Sequence, residues 1–149
     1  MLCVHIVEAD LKMMIRKYSH LKLLNTFEER YDYLKLSNAV GQATFGVDRY
    51  INQLFYNSKR WRRTRDGIII RDNACDLGIS EYEISHRVII HHMNPITLSD
   101  IEEDRDELYD PEFLICTTEN THRAIHFGDK SQLITLPIER RKNDTCPWK

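Results

Sequence analysis

Apolar residues recur at helical spacing through the first part of the chain. Leu11, Met14, Ile15, Tyr18 and Leu21 fall on one stripe, and Thr26-Phe-Glu-Glu29 has the form of a capping box ahead of Phe27, Tyr31 and Leu34. Both stripes predict helices with an apolar face in the core. Small polar residues with Gly41 and Gly46 fill positions 38–46, which predicts a connection before a further helix around 48–56. Ser58 is placed to cap a basic helix that Gly67 weakens, so Ile68-Ile-Ile70 fits either a last helical turn or an extended segment.

The pattern then changes. The run RVIIHHMNPI at 87–96 opens with β-favouring residues and stops at a proline, as a strand does. Residues 113–117 predict a second strand, and between the two Ser99-Asp-Ile-Glu102 fits a capping box for a short exposed helix. Thr118 with Glu119 opens another helix that Gly128 can close, and residues 132–137 predict an edge strand before a polar tail. Helices followed by strands and a last helix predict the α+β class.

Length and composition predict one domain, because 149 residues with 42% hydrophobic content can bury a real core. Its parts are a helical region at 1–57, a basic helix with the strands and last helix at 58–129, and the edge strand and tail at 130–149. Cys3, Cys75, Cys116 and Cys146 lack paired spacing, which predicts free thiols in a reducing compartment. The first residues lack the cationic start of a signal peptide, and the apolar runs are too short to span a bilayer, so a cytoplasmic chain without a membrane partner is expected.

The net charge of -2 hides an uneven distribution. Residues 100–112 hold eight acids and one arginine, a balance of -7, which leaves +5 for the remainder. Lys59, Arg60, Arg62, Arg63 and Arg65 surround Trp61 in the densest basic run. Alone, such a run fits a solvated helix face packing through Trp61 as well as it fits contact with nucleic acid.

The candidate chemistry lies in the histidines. His122 and His126 are four apart, so on a helix they share one face and can grip a single ion from the same side. A lone His-x-x-x-His is more often only a polar helix face. Here His91-His92 stands at the end of the first strand, and three of the four imidazoles can hold a metal while one keeps a free nitrogen. Strand neighbours point to opposite faces, so both could face one site only across a bend such as Met93-Asn94-Pro95 supplies.

This combination resembles the HNH endonucleases of the phage-encoded branch, a ββα-metal (His-Me finger) family in which two strands and a metal-binding helix form a nuclease site. The similarity covers residues 55–129, from FYNSKRWRRTRDGIIIRDNACDLG at 55–78 to NTHRAIHFGD at 120–129. Less diagnostic likeness extends to ERRKNDTCPW at 139–148 and to the N-terminal helices. The resemblance implies a helical first half followed by a ββα-metal motif. It makes His91 the strand ligand, His122 and His126 the helix ligands, and His92 the general base. One divalent ion would assist hydrolysis of DNA, expected to be double-stranded, with Mg2+ or Mn2+ at work and Zn2+, Ni2+ or Co2+ also able to bind. The basic run at 59–65 would contact the DNA backbone. Phage packaging proteins are further candidate partners, in the cytoplasm of a bacterial host.

The chain departs from the family in two places. Many relatives hold a structural zinc with two Cys-x-x-Cys pairs, whereas this chain has Cys75 with Gly78 and Thr118 with Thr121, so no structural zinc is expected. Phe113 stands where the family's asparagine commonly falls, which leaves a backbone carbonyl, Asn94 or Asn120 as the group that orients His92. Two other functions share these features: a DNA-binding or packaging module that keeps the metal for structure alone, and an RNase of the same fold.

Overall fold

In the computed structural model, which describes residues 14–36, 49–79 and 82–133, the capping box at Thr26 forms as expected. The Thr26 hydroxyl accepts from Glu29 N and the Glu29 carboxylate accepts from Thr26 N, starting α2 (Phe27–Leu34), which buries Tyr31 and Leu34. The stripe before it is shorter than predicted. Among its described residues only α1 (Tyr18–Leu21) is helical, Met14 and Ile15 are 57% and 62% exposed, and Leu11 lies outside the described residues. The cause is tertiary: Asn94 binds the backbone of Arg16 at both N (2.8 Å) and O (2.9 Å), and the Arg16 guanidinium donates to the carbonyls of Tyr33 and Lys35. Those bonds hold the segment out of a helix.

The connection expected at 38–46 also lies outside the described residues. After α3 (Arg49–Asn57), the Ser58 hydroxyl accepts from Trp61 N and opens α4 (Lys59–Arg71). This helix continues through Ile68–Ile70, so the extended alternative is not adopted. Gly67 sits in open space, where its cost is only conformational.

Two antiparallel pairs follow, β1 (Cys75–Asp76) with β2 (Tyr82–Glu83), and β3 (Ile89–His92) with β4 (Leu114–Thr117). Between β3 and β4 lies α5 (Leu98–Glu102), capped by Thr97 with Asp100 rather than by Ser99 with Glu102. Asp100 reaches both the N–H and the hydroxyl of Thr97, so the chain enters the helix earlier than predicted. Phe113, expected in the second strand, belongs to a 3-10 turn at Pro111–Phe113, yet its carbonyl still accepts from Met93 N at 2.9 Å. Thr118 caps α6 (Glu119–Phe127), and Gly128 ends it at φ +65°, a conformation glycine adopts without strain. The edge strand expected from 132 does not begin there, because Lys130–Gln132 is a 3-10 turn capped by Asp129; residues 134–149 lie outside the described ones.

The described residues thus contain six α-helices and two small antiparallel sheets, a mixed α and β architecture. All of β4 is buried because both of its faces are covered. Leu114 and Cys116 pack with Phe55, Trp61 and Ile68 from α3 and α4, whereas Ile115 packs with Leu34 and Ile125 from α2 and α6. Among the described residues, Cys75 and Cys116 are free. Burial and the nearby Asp72 carboxylate push the Cys116 thiol up to about 12, which keeps it protonated and unreactive. No helix among the described residues is long and apolar enough to cross a membrane.

Two buried aspartates fix the edge of β4 that β3 does not use. Asp72 accepts from Cys116 N at 2.8 Å, and Leu77 N donates to the Cys116 carbonyl at 3.0 Å. Asp76 accepts from Gly78 N at 2.9 Å and Ile79 N at 3.3 Å through one oxygen, and from Thr118 N at 2.8 Å through the other. A methyl at Gly78 would lie 2.4 Å from the Thr121 side chain, so these segments touch. The segments 75–78 and 118–121 are thus clasped by one carboxylate. Asp76→Ala, which strands these donors, is expected to cost about 3 kcal/mol. A urea midpoint unchanged from wild type would show that the clasp contributes nothing.

Candidate metal centre

Cross-strand partners share a face, so the register His91↔Ile115 and His92↔Leu114 sends the adjacent histidines to opposite sides of the sheet. His91 joins the α6 side. There it meets His122 and His126, which lie one turn apart on the helix. Ring centroids are 5.2 Å apart for His91 and His122, 5.1 Å for His91 and His126, and 4.4 Å for His122 and His126. One nitrogen from each ring lies within 4.8 Å of the others, so the three could hold a metal ion.

The chemistry of these nitrogens fits a cation. Among the described residues His91 Nε2 and His126 Nδ1 are buried without a hydrogen-bond partner, an arrangement rare in folded proteins. Burial holds His91 well below the usual histidine range, reinforced by charge on His122, His126, His92 and Arg16. Burial, then His126 and Arg123, lower His122 to about 4, and burial also lowers His126. All three therefore present neutral lone pairs at neutral pH, the form in which a metal binds imidazole. Three imidazole nitrogens are one short of the four ligands of a closed structural zinc site, and nitrogen ligands favour manganese to zinc over magnesium.

The same shifts give a pH dependence to the metal-free chain. Unfolded histidines protonate below about 6.5, while the folded ones resist, so the unfolded state binds more protons as the pH drops. This contribution to stability is complete above about 6.5 and is lost as the pH falls towards about 4, where His92 and His122 protonate in the fold. With a chelator present, the urea midpoint should fall between pH 7.5 and pH 5; a flat profile over that window would contradict the lowered values.

His92 occupies the α3 and α4 side. Its ring stacks on Trp61 at 5.2 Å and 18°, with Phe55 at 6.2 Å, and its Nε2 lies 3.0 Å from the Leu108 carbonyl. A carbonyl only accepts, so Nε2 carries the proton and Nδ1 keeps the lone pair. Burial lowers His92 to about 4, opposed by the Leu108 bond. The orienting group is thus the backbone carbonyl, supplied by the 3-10 turn Asp106–Leu108. The Asn94 amide is engaged with Arg16, and Asn120 is exposed on α6. Leu108, buried within an acidic stretch, is the one sequence signal that could have marked this turn.

The basic run divides by partner. Arg60 bonds Asp104 and Asp106 and lies 3.8 Å over the Tyr109 ring, so the acidic stretch neutralises it. Lys59, Arg62 and Arg63 are exposed on α4. Arg65, 3.4 Å from Asp66, lines a groove of about 890 Å³ with His122 and His126. Arg87 and Arg123 line it too, and sequence reasoning missed both. Their positions were visible, one opening the RVIIHH strand and one inside the His-x-x-x-His motif.

Compared with known proteins, the chain matches no family model, no curated protein and no solved structure.

Proposed function

We propose that this chain is a divalent-metal-dependent endonuclease of the HNH type that hydrolyses phosphodiester bonds in DNA, acting in the cytoplasm. One observation carries the reading: the pair His91-His92 divides across β3, one ring entering the three-imidazole cluster and the other held apart with a lone pair on Nδ1. The order β3, β4, α6 supplies the strand, strand and helix that a ββα-metal motif requires.

His91, His122 and His126 would hold the ion. A divalent cation there supplies Lewis-acid stabilisation of the negative charge that grows on the phosphate and the departing oxygen. The protein's own part is proton transfer and positioning. The groove lined by His122 and His126 also reaches Trp61, the ring stacked on His92, and from that side His92 Nδ1 would take a proton from water as its oxygen bonds to phosphorus and the bond to the leaving oxygen breaks. The Leu108 carbonyl fixes the ring through Nε2–H, and that bond strengthens as the imidazole becomes cationic. Trp61, stacked on the same ring, limits its rotation and favours the cation through its π face.

Incubating supercoiled plasmid with Mn2+, Mg2+, Ni2+ or Zn2+, with a chelator control and an RNA substrate in parallel, tests the reading. Metal-dependent, chelator-sensitive nicking is expected. Plasmid left intact in every metal would overturn it, and cleavage of RNA alone would reassign the substrate.

A further inference from the structure

The groove beside the histidine cluster combines two properties that a duplex-binding surface does not need together. The first is charge. Arg65, Arg87 and Arg123 line the groove with one carboxylate, Glu119, which is bonded to Arg123, and Arg65 pairs with Asp66 outside it. Among the described residues Arg87 lines the groove without an ion pair. A guanidinium presents a planar fork of donors suited to phosphate oxygens.

The second property is exposed aromatic surface. Phe127, at the end of α6, is 66% exposed, and Tyr56, at the end of α3, is 45% exposed; both line the groove. In a duplex the base faces are stacked against each other, whereas an unpaired strand offers them to protein rings. Arginines along a track with aromatic rings between them satisfy both halves of such a strand, the phosphates by charge and the bases by stacking.

We propose that this groove binds an unpaired DNA strand, its phosphates on Arg65, Arg87 and Arg123 and a base stacked on Phe127. The preferred substrate then carries a single-stranded segment at the point of cleavage. Passage of that strand past His122 and His126 rests on the nuclease reading; its capture by the groove does not.

Fluorescence anisotropy in the presence of a chelator tests the capture, using a labelled oligonucleotide of about 16 nucleotides as a single strand and as a duplex. Wild type should bind the single strand more tightly. Phe127→Ala should weaken single-strand binding roughly 5- to 150-fold and leave duplex binding nearly unchanged. The double variant Arg87→Gln/Arg123→Gln should flatten the slope of log affinity against log salt by about 1.4. It should also lose more affinity than Lys59→Gln/Arg62→Gln, which removes the same charge away from the groove. Circular dichroism establishes that each variant is folded. Duplex bound as tightly as single strand with Phe127→Ala silent, or equal losses from the two double variants, would overturn the proposal. Because no metal is present, either result leaves the nuclease reading intact. Conversely, strand capture by the groove without cleavage in any metal would defeat the nuclease reading alone.

Discussion

His92→Ala is expected to lower plasmid nicking roughly a hundred- to ten-thousand-fold, the range of a lost general base, while the chain still binds metal. The two effects separate because the rings lie on opposite faces of β3. His91 points at His122 and His126, and His92 points at Trp61 and Leu108. Alanine at 92 removes the lone pair on Nδ1 without touching the cluster. Nicking is measured beside a calorimetric titration of Mn2+ or Ni2+. Cleavage at the wild-type rate would reject His92 as the base, and metal binding lost together with cleavage would mean that the two faces are not independent.

The second large effect runs the other way. His126→Ala takes away one of three nitrogens and should weaken the ion by more than the 10- to 100-fold typical of losing a group behind a ligand. Thermal unfolding with and without metal reads this directly. An ion present at about 1,000 times its dissociation constant stabilises the fold by about 4.1 kcal/mol, and a hundredfold loss of affinity cuts that to about 1.4 kcal/mol. Without metal the variant should lose little, since His126 Nδ1 has no partner to give up. Undiminished stabilisation by metal would place the ion elsewhere. Nicking that survives in His126→Ala at saturating metal would be compatible with a weakened site, so affinity and not rate decides this prediction.

The parts of the fold legible in the sequence are those decided within one turn of chain. Thr26, Ser58, Thr118 and Gly128 act on donors or acceptors a few residues away, and each caps its helix where the sequence indicated. The bend at Met93-Asn94-Pro95, expected to let His91 and His92 face one site, does not do so: the strand keeps its alternation through both residues, and His92 falls on the other face. What escaped depends on partners far along the chain. Asn94 captures Arg16 across 78 residues and unwinds a stripe that local periodicity marks as helix. The orienting carbonyl of Leu108 could not be chosen from sequence, because every residue offers one and only the 3-10 turn aims this one at His92. The partners of charged groups were hidden for a related reason: Arg60 belongs to the densest basic run but pairs with acids 44 and 46 residues away, while the isolated Arg87 lines the groove.

The clasp around Asp76 bears on how the protein tolerates its surroundings. Oxygen acceptors and amide donors make it, so neither oxidants that attack thiols nor scavengers of transition ions should loosen it. Starving the chain of cations is then expected to leave this part of the scaffold assembled, so that an ion supplied later meets it without a cycle of refolding.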